Sequence, residues 1–142
     1  MTFVTCLSDY MVYIFGVRVI TMPLHIRSEK DPDQNYLFEL KGSIDSDTYE
    51  NLDNEIKKAE AIGARSVSLN FGNVDYVSSI GIRVLIDGMK ALKNRKSPFL
   101  LFSLQPQVKK VLEIMRLTSV LEVLDSRSDV DHYLQEHCRI PS

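Results

Sequence analysis

The sequence predicts an α/β layer structure. Two observations carry that prediction: strand-like and helix-like periodicities alternate from Pro23 onward, and the clearest example of each lies beside the other. Tyr49–Ile62 repeats apolar residues at three- and four-residue spacing, which makes one stripe on a helix. Ser66–Phe71 instead alternates strictly, with Val67, Leu69 and Phe71 on one face of a strand. At 142 residues, the chain has the size of one domain that buries a core without disulfides or a structural metal.

The N-terminal part stands outside this pattern. Tyr10–Val17 (YMVYIFGV) is an uncharged, mostly apolar run between Asp9 and Arg18. It is too short to span a bilayer, which takes about 20 residues. A signal peptide would carry positive charge ahead of the run, where Asp9 is the only charge, and a small-residue cleavage site after it. Residues 1–21 are therefore expected to form an apolar extension, either an extra strand or an arm dispensable to a domain of residues 22–142. Met22 is itself start-like.

Within that domain, His25–Arg27 closes a first strand, and Ser28–Asn35 (SEKDPDQN) reads as a charged turn around Pro32. Tyr36–Lys41 (YLFELK) is a second strand ended by Gly42, so the two form a hairpin. Asp47 suits an N-cap and Glu50 a capping box, opening a helix with Tyr49, Leu52, Ile56, Ala59 and Ile62 inward. Gly63 stops that helix. After the strand Ser66–Phe71, Gly72–Asp75 reads as a turn, and a second amphipathic helix starts at Ser78-Ser79 with Ile82, Leu85, Ile86, Met89 and Leu92 inward. Phe99–Phe102 (FLLF) is the continuous apolar run of a strand covered on both faces. Pro106–Met115 is a third helix, begun by a proline, with Val108, Val111, Leu112 and Met115 inward. Val120–Leu124 is a last strand, and Ser128–Gln135 a last helix packing through Val130, Tyr133 and Leu134.

Composition narrows the function. Lys plus Arg number 17 against 19 Asp plus Glu, a formal charge of -2 without a polybasic tract, which argues against nucleic acid and anionic membranes as partners. The basic residues Lys90, Lys93, Arg95 and Lys96 end the second helix, where cations complement its dipole and face water. Cys6 and Cys138 lie at opposite ends with no CxxC or Cys/His spacing, which fits neither a disulfide framework nor a zinc site and suits the cytoplasm.

The strand that turns through Ser78-Ser79 into a helix places two hydroxyls beside free backbone amides, where the dipole favours negative charge. Spacing alone leaves two readings open, an ordinary serine cap and a phosphate-bearing serine. Hydrolysis is unsupported, because VSSIG lacks the flanking glycines of GxSxG and no histidine among His25, His132 and His137 has a recognisable relation to Ser79. Asp45, Asp47 and Asp75 precede helices or turns, as capping and Asx-turn carboxylates do. Neither GxxxxGK[ST] nor GxGxxG occurs. The chain reads as non-enzymatic, with no cofactor and no metal implied.

Three segments, in order, resemble a known family. Gly42-Ser43-Ile44-Asp45 is similar to G-x-[LI]-D before a first helix, Val74–Ile82 (VDYVSSIGI) to the turn D-S-[SA]-G-[LI] into a second, and Gln105–Leu117 to a strand end leading into a third. Together they resemble the STAS domain of bacterial anti-sigma factor antagonists, over Tyr36–Leu134. The resemblance implies a four- to five-stranded mixed β-sheet covered mainly on one face by about four α-helices. Aligned on Gly81, the family's phosphorylated serine falls on Ser79, and Ser78 stands where Asp is frequent. Ile80 is bulkier than the usual Ser or Ala. Asp45, Ser78, Gly81 and Arg83 are expected to support the loop and interface, with Arg83 placed to pair with an added phosphate. Gly81 is expected to leave room for a partner or a neighbouring backbone, so that Gly81→Ala keeps the fold and Gly81→Val weakens partner binding. The implied mechanism is partner switching: the unmodified protein binds an anti-sigma factor or serine-protein kinase, phosphorylation of Ser79 releases it, and a serine phosphatase resets it. The alternative is a STAS subunit of a lipid-transporting ABC complex that docks without phosphorylation.

Overall fold

In the computed structural model, residues 11–14, 17–20 and 24–137 are described. β1 (Met11–Ile14) and β2 (Val17–Ile20) pair antiparallel as a two-stranded sheet of their own. The main sheet has the order β3-β4-β5-β6-β7, built from β3 (His25–Lys30), β4 (Asn35–Ile44), β5 (Ser66–Val77), β6 (Phe99–Phe102) and β7 (Glu122–Leu124). β3 is antiparallel to β4, and the other neighbours are parallel. The crossovers are α1 (Tyr49–Ile62), α2 (Ser79–Asn94) and α3 (Pro106–Ile114), and α4 (Arg127–His137) ends the described chain. This is the expected α/β architecture, a five-stranded mixed sheet with four helices.

Side-chain alternation decides which helix covers which face. Phe38, Val67, Leu69, Phe71, Phe99 and Leu101 are buried in the main core with Leu52 and Ile56 of α1, Leu85 of α2 and Leu112 of α3. Leu37, Leu100 and Phe102 point the other way and pack with Val130 of α4. All four residues of FLLF are therefore buried, as a central strand sandwiched between helices requires. The core is asymmetric, with three helices on one face and one on the other.

Several element ends differ from the sequence reading. Ser28, Glu29, Lys30 and Asn35 belong to strands rather than to a turn, because β3 is an edge strand whose charged residues face water, Arg27 reaching Glu39 at 2.9 Å. The true turn is tied by Asp31, whose carboxylate accepts from the amides of Asp33 and Asn35, each at 2.9 Å. Gly42 does not end β4: with φ 120° it sits at a register shift through which the strand continues to Ile44. For the same reason Gly72–Asp75 is not a turn. It lies within a twelve-residue β5 that stays paired to β4 as far as Ile44↔Val77.

The helix ends differ too. Ile62, Val111 and Met115 are exposed rather than inward, at 64%, 39% and 47%. The nine-residue α3 buries only Val108 and Leu112, a narrower stripe than its apolar pattern suggests. Val120 lies in a turn held by the Leu117 carbonyl, so β7 is shorter than Val120–Leu124.

Candidate functional site

β4 and β5 run parallel and finish side by side, so the segments leaving Ile44 and Val77 emerge together at the carboxyl ends of the strands. Such ends are where α/β sheets commonly place their sites. Ile44 binds the two segments to each other, because its carbonyl accepts from the Ser78 amide at 2.8 Å.

Ser78 is the N-cap of α2. Its backbone is extended (φ -82°, ψ 174°), and its hydroxyl accepts from the Gly81 amide at 3.2 Å while its carbonyl accepts from Ile82 at 2.9 Å. Ser79 follows as the first helical residue. It is exposed, and among the described residues its hydroxyl has no hydrogen-bond partner. The amides of Ser79 and Ile80 lie in the first turn, where a helix supplies no acceptor of its own and the dipole favours an anion. The two serines that spacing left equivalent thus differ: one hydroxyl is engaged in holding the turn, the other faces solvent.

Gly81 is buried, and the side chains of Ile44 and Val77 and the Ile44 backbone all approach it closely. A Cβ there would lie 2.6 Å from Ile44 Cγ2, 3.0 Å from Val77 Cγ1 and 3.1 Å from the Ile44 carbonyl oxygen. The space beside Gly81 is filled from within the chain, so alanine there is expected to keep the fold at a cost in stability.

Asp45 organises the neighbouring loop. Its carboxylate accepts from the Asp47 amide at 2.9 Å, and its carbonyl accepts from the amides of Thr48 and Tyr49. Thr48, not Asp47, occupies the N-cap position of α1, without a side-chain cap bond into the helix. The Thr48 hydroxyl turns backward instead, accepting from the Asp45 amide at 2.9 Å and donating to the Ser43 carbonyl at 2.7 Å. A reciprocal capping box of Asp47 and Glu50 does not form.

Arg83 lies one turn beyond Ser79 on the same side of α2. Its side chain is 81% exposed and its Nε is 3.9 Å from an Asp87 carboxylate oxygen. Arg83 and Ile80 border a groove of ≈ 240 Å³ between α1 and α2, opposite Tyr49 and Asp53. Across it, the Asp53 hydrogen bond at 2.8 Å holds the Lys57 ammonium above its ordinary range. The structure therefore gathers Asp45, Ser78, Ser79 and Gly81 at one end of the sheet, with Arg83 on the adjoining helix surface.

The roles of three residues escaped the sequence reading. Ile44 lies within the GSID segment, but its bond to Ser78 and that of Thr48 to Ser43 depend on backbone geometry. Tyr76, at the end of β5, is 56% exposed despite its size, and the only signal for it was its place two residues before Ser78.

Comparison with known proteins identifies the family and the fold. A family model of the STAS domain matches residues 26–130. BtrV of Bordetella bronchiseptica, a proposed anti-sigma factor antagonist, is 35% identical over 88 residues, which span 62% of this chain and 76% of that protein. Among solved structures, an anti-sigma factor antagonist from Mycobacterium paratuberculosis has a TM-score of 0.71 at 17% identity, covering 79% of this chain and 94% of its own. SpoIIAA of Bacillus in its unphosphorylated form has a TM-score of 0.63 at 19% identity, covering 77% and 97%. At such identities the structural likeness shows a shared fold.

Proposed function

The chain belongs to the STAS domain family, and from that premise we propose that it is an anti-sigma factor antagonist working in the cytoplasm as a phosphorylation-controlled binding switch. The unmodified protein binds an anti-sigma factor that is also a serine-protein kinase. Transfer of a phosphoryl group from ATP to the Ser79 hydroxyl releases it, and a serine phosphatase restores the binding form. The observation that carries this reading is the division of labour between the serines: Ser78 caps α2, and the exposed Ser79 hydroxyl is open to a kinase.

The physics needs no change of fold. A phosphoserine adds about -1.5 to -2 charges. At the first turn of α2 that charge meets free amides and Arg83, so the isolated protein accommodates it. Against a partner surface that fitted a neutral hydroxyl, the same charge must be desolvated without a matching cation, which costs several kcal/mol. Among the described residues no helix is long and apolar enough to cross a membrane.

The test is phosphate mapping by mass spectrometry after incubation with ATP and the anti-sigma factor kinase of the source organism. Phosphate on Ser79, lost in Ser79→Ala and retained in Ser78→Ala, is expected. Phosphate confined to Ser78 refutes the assignment. A chain that is never phosphorylated yet co-purifies with a permease moves the reading to the transport-subunit alternative.

A further inference from the structure

β3 ends the main sheet, and no described strand pairs with its outer side, because β1 and β2 form a sheet of their own. The backbone amides and carbonyls on that side are open to another chain, which is how exposed edges recruit partners. The opposite edge, β7, is three residues long, whereas β3 runs for six. Of the two edges, only β3 has the length of an ordinary strand pair.

Charged side chains ordinarily blunt such an edge, but here their order matters. Pairing with β4 puts Arg27 beside Glu39 and Glu29 beside Leu37, on the face where Leu37 packs with Val130 of α4. His25 shares this face by alternation, and Asp31 follows two positions after Glu29. Along it the order is therefore His25, Arg27, Glu29, Asp31, two basic residues and then two acidic ones. This order is self-complementary about Ser28.

In an antiparallel pair of two β3 strands centred on Ser28, Arg27 stands opposite Glu29 of the second copy and His25 opposite Asp31 of the second copy. No other centre within the strand does this. Centres at Arg27 or Glu29 set that residue against its own copy, and centres at Ile26 or Lys30 bring His25 against Arg27 or Glu29 against Asp31. Like charges directly opposite are destabilising, so the charges select the register as well as the partner.

The ion pairs within the chain extend the arrangement. Arg27 Nη2 is 2.9 Å from a Glu39 carboxylate oxygen, and Arg127 Nη2 is 3.7 Å from one of Glu29. Pairing about Ser28 joins these into an alternating row, Arg127, Glu29, Arg27 and Glu39, with the boundary between the copies falling between Glu29 and Arg27. On the α1 face the same register sets Lys30 opposite the half-buried Ile26, whose apolar surface a lysine stem covers.

We propose that β3 pairs antiparallel with β3 of a second copy of this chain about Ser28, joining two five-stranded sheets into one continuous sheet. A twofold contact of this kind is closed, and the edges left free are the two short β7 strands, so assembly stops at the dimer. The contact makes no use of the Ser79 hydroxyl and stands independently of the proposed switch.

Sedimentation equilibrium of the full chain from micromolar to millimolar concentration tests the proposal. A reversible dimer is expected, weak because a single strand pair buries less than a standard interface, and weaker still in about 1 M salt, where exposed charges are screened. Arg27→Glu and Glu29→Arg each set like charges opposite one another twice per dimer and should weaken association by about tenfold or more, whereas the two changes together restore the complementary order and the affinity. Circular dichroism checks that each variant is folded. Amide exchange of the unaltered chain gives a second reading that needs no variant, since exchange along β3 should slow as concentration rises. A chain that stays monomeric at millimolar concentration, β3 amides that exchange alike at low and high concentration, single reversals without effect, or a double reversal no better than the single ones overturns the proposal.

Discussion

Replacing Gly81 by alanine adds one methyl group in the first turn of α2, where Ile44 Cγ2 would be 2.6 Å away, Val77 Cγ1 3.0 Å and the Ile44 carbonyl oxygen 3.1 Å. The carbonyl cannot retreat freely, because it accepts from the Ser78 amide at 2.8 Å. Forcing a methyl group into a packed site costs about 1–3 kcal/mol. Helix propensity returns at most about 1 kcal/mol for Gly→Ala, and less near a helix end. The net expectation is a loss of about 1–2 kcal/mol, which for a domain of this size is a fall in Tm of about 3–8 °C. Thermal unfolding followed by circular dichroism measures it directly. In an Ile44→Ala background the nearest contact is gone, so adding Gly81→Ala should cost less there, a positive coupling between the sites. An unchanged or raised Tm for Gly81→Ala would refute the claim that Gly81 is required by the approach of Ile44.

Three further expectations test other parts of the structure. Thr48→Val removes the hydroxyl that serves the Asp45 amide and the Ser43 carbonyl, and chemical denaturation should show a loss of about 1–3 kcal/mol; no loss would mean that water replaces both bonds. Burial alone would raise the Asp31 carboxyl, but hydrogen bonds from Asn35 and Asp33 outweigh it and hold the carboxyl below its ordinary range. Its stabilisation is therefore fully present above the unfolded value of about 3.9 and lost as pH falls through the lower folded value, so the difference between wild type and Asp31→Ala in urea midpoints should vanish only in strong acid. A difference that grows on acidification would contradict this. A chain beginning at Met22 should keep Tm within about 2–4 °C, because β1 and β2 form a sheet separate from the five-stranded one; a larger fall would place residues 1–21 in the core.

What was legible in the sequence was what periodicity encodes. FLLF and SVSLNF announce a two-sided and a half-polar strand because side-chain alternation is set by the pleat itself. Less legible was the far half of β4 and β5. Gly42 and Gly72 carry no strand signal: Gly42 pairs with Val74 beside one register shift, Gly72 falls in another between Asn70 and Asn73, and past these irregularities both strands run on to the site. On α3, Val111 and Met115 continue the apolar spacing of Val108 and Leu112, but so short a helix touches the sheet along a narrow line. At the site, the position of the two serines could be read, whereas their roles depended on backbone geometry: an extended Ser78 whose oxygen meets the Gly81 amide. Thr48 shows the same limit, since its partners Ser43 and Asp45 lie behind it rather than in the helix that follows.

The account stands most directly on one affinity. Titration calorimetry of the anti-sigma factor with the unmodified chain and with the chain phosphorylated at Ser79 compares the two forms at one interface. An uncompensated interfacial charge should weaken binding by about a hundredfold or more, at about 1.4 kcal/mol per tenfold, with Ser79→Asp following in the same direction and Ser79→Ala binding like the unmodified protein. Equal dissociation constants for the phosphorylated and unmodified chains would contradict the switch.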